Sequence, residues 1–160
     1  MTDLNNLFAQ NTSIMAASLD EVLQPKINEY EKLRDAGEKG ELAYINISLL
    51  LSGILYRLPW LRLDLLDKKH WADASKCYTE WDVPYIADNL YMNAENIAKE
   101  NKKIKEYELE QNWLDASSEY YAAFEQYLPA VINQCAAAKT ISCHWHFGQF
   151  LGHTITVWSD

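Results

Sequence analysis

The side chains best able to do chemistry crowd toward the end of the chain, where Cys143, His144 and His146 fall within four residues and His153 follows. On a helix, Cys143, His146 and His153 share one face within about 80°, with Gln149 beside them. Three such ligands can hold a transition metal and leave a fourth position for water, as in a metal-dependent helical-bundle enzyme. Their spacing matches neither HExxH nor paired CxxC. The competing reading is that the rings fill an uncharged, aromatic core or interface, each satisfied by a backbone or water hydrogen bond. No Gly-rich phosphate loop, GxSxG elbow or dinucleotide fingerprint accompanies them, so no catalytic residue and no cofactor is assigned.

A second constellation runs from Trp60 to Asp82. Trp60, Trp71, Tyr78 and Trp81 are interleaved there with Asp64, Asp67, Asp73, Glu80 and Asp82. Aromatic rings supply buried contact area and carboxylates supply steering and Arg pairing, which together suit a grip on a basic protein. Asp64, Asp67, Trp71, Asp73, Glu80, Trp81 and Asp82 are the candidate partner-binding residues. The alternative is that the tryptophans cap a core and the acids face water.

Two stretches carry resemblances. Gly40–Ser48 (GELAYINIS), followed by Leu61–Asp67 (LRLDLLD) and Trp71-Ala72-Asp73, resembles segments of small uncharacterised bacterial proteins associated with toxin–immunity loci. That resemblance covers about a quarter of the chain and implies an immunity protein that binds a basic toxin domain and neutralises it as a stoichiometric inhibitor. His146-Phe147-Gly148-Gln149 resembles the HxGQ-like end of DinB-type helical metalloproteins, although no matching histidine occurs in the early part of the chain.

Charge narrows the partners. The formal net charge is −9, which opposes a nucleic-acid backbone and favours a basic protein. The acids are uneven: up to Leu128 there are 22 Asp or Glu against 13 Lys or Arg, whereas from Pro129 onward only Lys139 and Asp160 are charged. So neutral a tail predicts burial in a core or in a homodimer interface. Three cysteines without CxxC spacing suggest reduced thiols. The start of the chain lacks the basic and apolar regions of a signal peptide, and the longest apolar stretch, Leu49–Leu61, is broken by Ser52, Gly53, Arg57 and Pro59. Neither membrane nor nucleic acid is expected, and the cytoplasm is the expected compartment.

The elements that must position these residues read as mainly helical. Ser18 and Glu21 have capping-box spacing, and Val22, Leu23, Ile27, Tyr30 and Leu33 then form a stripe that Gly37 ends. Helices are predicted near 19–36, 41–56, 83–108, 112–128 and 130–157, the last carrying any homodimer contact. The 41–56 segment is apolar nearly all round, which places it centrally. Leu61, Leu63 and Leu65 alternate with Arg62 and Asp64, so a strand is expected there, turned by Asp67-Lys68-Lys69 into a short return between His70 and Tyr78. The expected architecture is a single-domain helical bundle of five or six helices with a small β-hairpin insertion, covering residues 1–160.

Overall fold

A computed structural model describes residues 4–56, 58–72, 76–86, 89, 91 and 105–159. The first helix, α1 (Leu4–Asp35), is longer than its sequence signals suggest. Phe8, Thr12, Met15, Leu19, Leu23, Ile27 and Tyr30 recur every three or four residues and are buried along it. Ser18 lies within the helix and caps nothing: its hydroxyl donates to the Met15 carbonyl oxygen at 2.9 Å and accepts from Trp81 Nε1 at 2.9 Å. Pro25 sits inside α1 as well, where the buried stripe on either side outweighs the lost backbone donor. Gly37, at φ 77°, supplies the left-handed stop, and its N–H donates to the Arg34 carbonyl oxygen.

Beyond α1 the expectation of a helical bundle is overturned. The described residues form three helices and a five-stranded mixed sheet: β1 (Tyr44–Leu49), α2 (Leu51–Leu55), β2 (Leu61–Leu66), β3 (Tyr78–Trp81), α3 (Glu106–Gln134), β4 (His144–Gln149) and β5 (Thr154–Ser159). The helix expected over 41–56 is a strand followed by the short α2. The helix expected over 130–157 ends with α3 at Gln134 and continues as the β4–β5 hairpin. The segment expected to carry a homodimer contact is therefore a hairpin and not a helix. The helix expected over 83–108 falls largely outside the described residues.

Strand order is β3-β2-β1-β4-β5, with β1 and β4 parallel and every other pair antiparallel. Ile45, Ile47 and Leu49 of β1 pair with Leu65, Leu63 and Leu61 of β2, and Ile45 and Ile47 pair with Trp145 and Phe147 of β4. These residues share one sheet face, and α1 and α3 cover it. Phe147 contacts Tyr121 and Phe124 of α3, and Phe124 meets Phe8 of α1 edge-on at 5.1 Å. Trp81 belongs to this core at 1% exposure. Gly148 lets β5 approach, because a Cβ there would meet the His153 carbonyl oxygen and Thr154 Cα. All three cysteines are free and buried, and burial raises the Cys135 thiol to about 11, which keeps it protonated. No helix among the described residues is long and apolar enough to cross a membrane.

Candidate functional site

The sheet face turned away from α1 and α3 gathers polar groups that lie far apart in the chain. Because side chains alternate along a strand, Tyr44, Asn46 and Ser48 of β1 share this face with Arg62 and Asp64 of β2 and with His144 and His146 of β4. Asn46 stands between Asp64 and His146 in the pairing register, and Ser48 between Arg62 and Gly148. Asn46 and Ser48 are fully buried. The turn after β2 folds a further group over them: His70, at φ 54°, accepts on Nε2 from Asn46 Nδ2 at 3.2 Å, and its ring meets Tyr44 edge-on at 4.9 Å. His146 lies 6.0 Å from His70 and 5.4 Å from Tyr44, centroid to centroid. Asn46 Oδ1, Ser48 Oγ and His146 Nδ1 have no hydrogen-bond partner among the described residues.

Both of the central imidazoles are held below their ordinary value of 6.5: burial lowers His70, and burial followed by the charges of His70 and His144 lowers His146. The unfolded chain therefore takes up these protons first as the pH falls. The stability the pair contributes is complete above 6.5 and is lost as the pH drops through the lowered folded values. The urea midpoint should accordingly be lower at about pH 5.5 than at about 7.5, and His146→Gln should flatten that difference. An unchanged pH dependence in the variant would show that His146 does not titrate with folding.

The proposed metal ligands do not come together. In an extended chain, residues three apart point to opposite faces, so β4 separates His146 from Cys143, which is buried just before the strand. His153 is exposed in the β4–β5 turn. Among the described residues no three His, Cys, Asp or Glu side chains gather closely enough to hold a metal.

The partner-binding candidates scatter likewise. Asp64 is buried and forms an ion pair with Arg62 at 2.7 Å. The Arg62 guanidinium is layered between Tyr78 at 3.9 Å and Phe150 at 4.5 Å. Burial opposes the Asp67 charge, but N–H donors of Lys69 at 2.8 Å and Gly40 at 3.2 Å, with the charges of Lys69 and Lys39, hold its pKa below the ordinary 3.8. Asp64 and Asp67 are thus committed inside the chain, and Trp81 is in the core. Glu80 and Asp82 remain exposed. Trp71 starts no strand and lies in a 3-10 turn, His70–Ala72; its side chain and the whole of Asp73 lie outside the described residues.

Glu80 and Asp82 lead to a surface with a different make-up. β1 and β4 end, β2 and β5 begin, and β3 ends at one end of the sheet, where Leu49, Gln149, Leu61, Thr154 and Trp81 lie. Of the nine large apolar side chains exposed among the described residues, seven are in the segments at this end: Leu55, Tyr56, Leu58, Tyr85, Tyr107, Phe150 and Leu151. Tyr56 is 79% exposed and Tyr107 61%. Three hollows open there. One of about 390 Å³ lies between α1 and β3 and is lined by Glu21, Trp60, Glu80 and Asp82. Another of about 560 Å³ lies between α2 and α3, lined by Leu55, Tyr107, Glu108, Glu110 and Leu114. The third, about 300 Å³, sits where Leu49 and Gln149 meet Leu114 and Tyr121 of α3. From Glu106 to Gln134, α3 carries six carboxylates and neither Lys nor Arg.

Sequence reasoning looked for aromatics beside acids between Trp60 and Asp82 and did not single out Tyr56, Tyr107, Glu108 or Glu110. The unbroken run of acids in α3 was the available signal. The chain matches no protein-family model, and no curated protein or solved structure matches it significantly.

Proposed function

We propose that this chain is a protein-binding module that docks a basic partner on the strand-end surface, in the manner of an immunity protein neutralising a basic toxin domain. The observation that carries this reading is the coincidence, at one end of the sheet, of exposed aromatic and aliphatic side chains with Glu21, Glu80, Asp82, Glu108 and Glu110. Isolated exposed apolar residues are ordinary on any protein. A concentration of them rimmed by carboxylates is what an interface needs: rings bury area, and a one-signed rim speeds encounter with a cationic surface. A net charge of −9 acts in the same direction. Free, buried thiols suit a reducing compartment, and the cytoplasm is the location this reading assumes.

The test captures basic proteins of the native host on the immobilised full chain and follows the binding of the purified partner by surface plasmon resonance. Changing Glu80, Asp82, Glu108 and Glu110 together to Gln or Asn should slow association by roughly tenfold at low salt and flatten its salt dependence. Tyr107→Ala should act on dissociation instead, speeding it by about 30-fold, the equivalent of about 2 kcal/mol at a hot spot. Unchanged rates in both variants, shown to be folded, would remove the strand-end surface from the interface.

A further inference from the structure

The two edges of the sheet differ in how they are guarded. β3 is four residues long, carries Glu80 and packs beside α1. β5 closes the opposite edge, and its outer side pairs with no strand among the described residues. Its sequence, Thr-Ile-Thr-Val-Trp-Ser, has no Lys, Glu or Pro, the residues that usually keep an edge from adding another strand. Ile155, Val157 and Trp158 are only half-buried. A register shift against β4 between Trp145 and His146 makes Val157 the extra residue, so that Ile155 and Trp158 both lie on the helix-covered side, opposite Phe147 and Trp145.

We infer that β5 is a self-association edge, at which a second copy of this chain adds its own β5 antiparallel and extends the sheet across a two-fold axis. A self-complementary register selects the occupant, and the scarcity of charge near β5 permits it. Two chains of −9 repel over most of their surfaces, but from Pro129 to the end each carries only Lys139 and Asp160, so this is where two copies can meet with little like-charge opposition. With the axis between Thr156 and Val157, Ile155 of one copy stands opposite Trp158 of the other, an aromatic and β-branched cross-strand pair. Thr154 stands opposite Ser159 in the same register. A single six-residue strand pair is smaller than the roughly 1,200 Å² of a stable interface, so the association is weak and concentration-dependent.

Sedimentation equilibrium of the full chain from about 10 to 500 µM should show the mass rising from 18.5 kDa toward twice that value, further at about 0.5 M than at 0.05 M NaCl because salt screens the repulsion. That salt response is opposite in sign to the one expected for a basic partner, so the two interactions can fail separately. Thr156 is exposed, and Thr156→Lys should hold the protein monomeric with an unchanged circular dichroism spectrum, weakening association at least tenfold. Amide exchange in β5 of the unmodified chain should slow as concentration rises. A monomer at every concentration and salt would overturn the inference. So would a dimer that survives Thr156→Lys, or one lost instead in Tyr107→Ala.

Discussion

Phe147→Ala is expected to destabilise the domain by about 3–5 kcal/mol, the range for emptying an aromatic site in a packed core. Phe147 is fully buried on β4, pairs with Ile47 and Ile155, and lies against Tyr121 and Phe124. Few neighbours can collapse into the space: the strands on either side are fixed by the ladder, and the rings of α3 are held against α1 through Phe8. In a domain of this size the loss corresponds to a fall in Tm of about 10 °C, measurable by calorimetry. Phe147→Leu retains most of the volume and should cost less than half as much. Equal stability of the wild type and Phe147→Ala would mean that this face of β4 is not the core.

Arg62→Ala is expected to cost about 3 kcal/mol, and more than Asp64→Ala, because each change strands a partner and the Asp64 side chain, 7% exposed, is buried more deeply than that of Arg62. Removing the carboxylate leaves the Arg62 guanidinium, whose side chain is 21% exposed, layered between Tyr78 and Phe150 without its counter-charge. Some of its cost is relieved by solvent, since Arg62 can reach water along its rim. The double change to Leu at both positions should recover most of the loss, as apolar groups replace a desolvated pair. Denaturant midpoints of the three proteins provide the comparison. A double variant no better than Arg62→Ala alone would show that the pair is not a coupled unit.

These two effects occupy opposite faces of one sheet, and together they leave the exposed apolar side chains to the strand ends. The helix-covered face is filled by large apolar side chains, and the open face is occupied by an ion pair and by the hydrogen bond between Asn46 and His70. The exposed aromatics accumulate where the strands stop, because neither α1 nor α3 caps Tyr56, Leu58 or the β4–β5 turn.

Several features of this chain follow from local sequence alone. The three-to-four spacing of Leu19, Leu23, Ile27 and Tyr30 marks a helix whatever surrounds it, and so does the aromatic stripe through Tyr120, Phe124 and Leu128. The alternation of Leu61, Leu63 and Leu65 marks β2, since each sets its own face through the pleat. The scarcity of charge after Pro129 marks a segment that water does not fully surround. Tertiary structure decided the rest. β1 carries the same alternation, Ile45, Ile47 and Leu49 against Asn46 and Ser48, and reads as a helix only when it is run together with the apolar stretch of α2 that follows it; pairing on both edges then buries its polar positions as completely as its apolar ones. β4 alternates as well, Trp145 and Phe147 against His144 and His146, but no local signal reports that it lies parallel to β1, about a hundred residues earlier. The same long-range pairing puts His146 beside Asn46 and turns Cys143 away from it, while the pairing of β3 with β2 beside α1 withdraws Trp81 into the core. Spacing along the chain could nominate these residues, but the sheet register alone determines which of them meet.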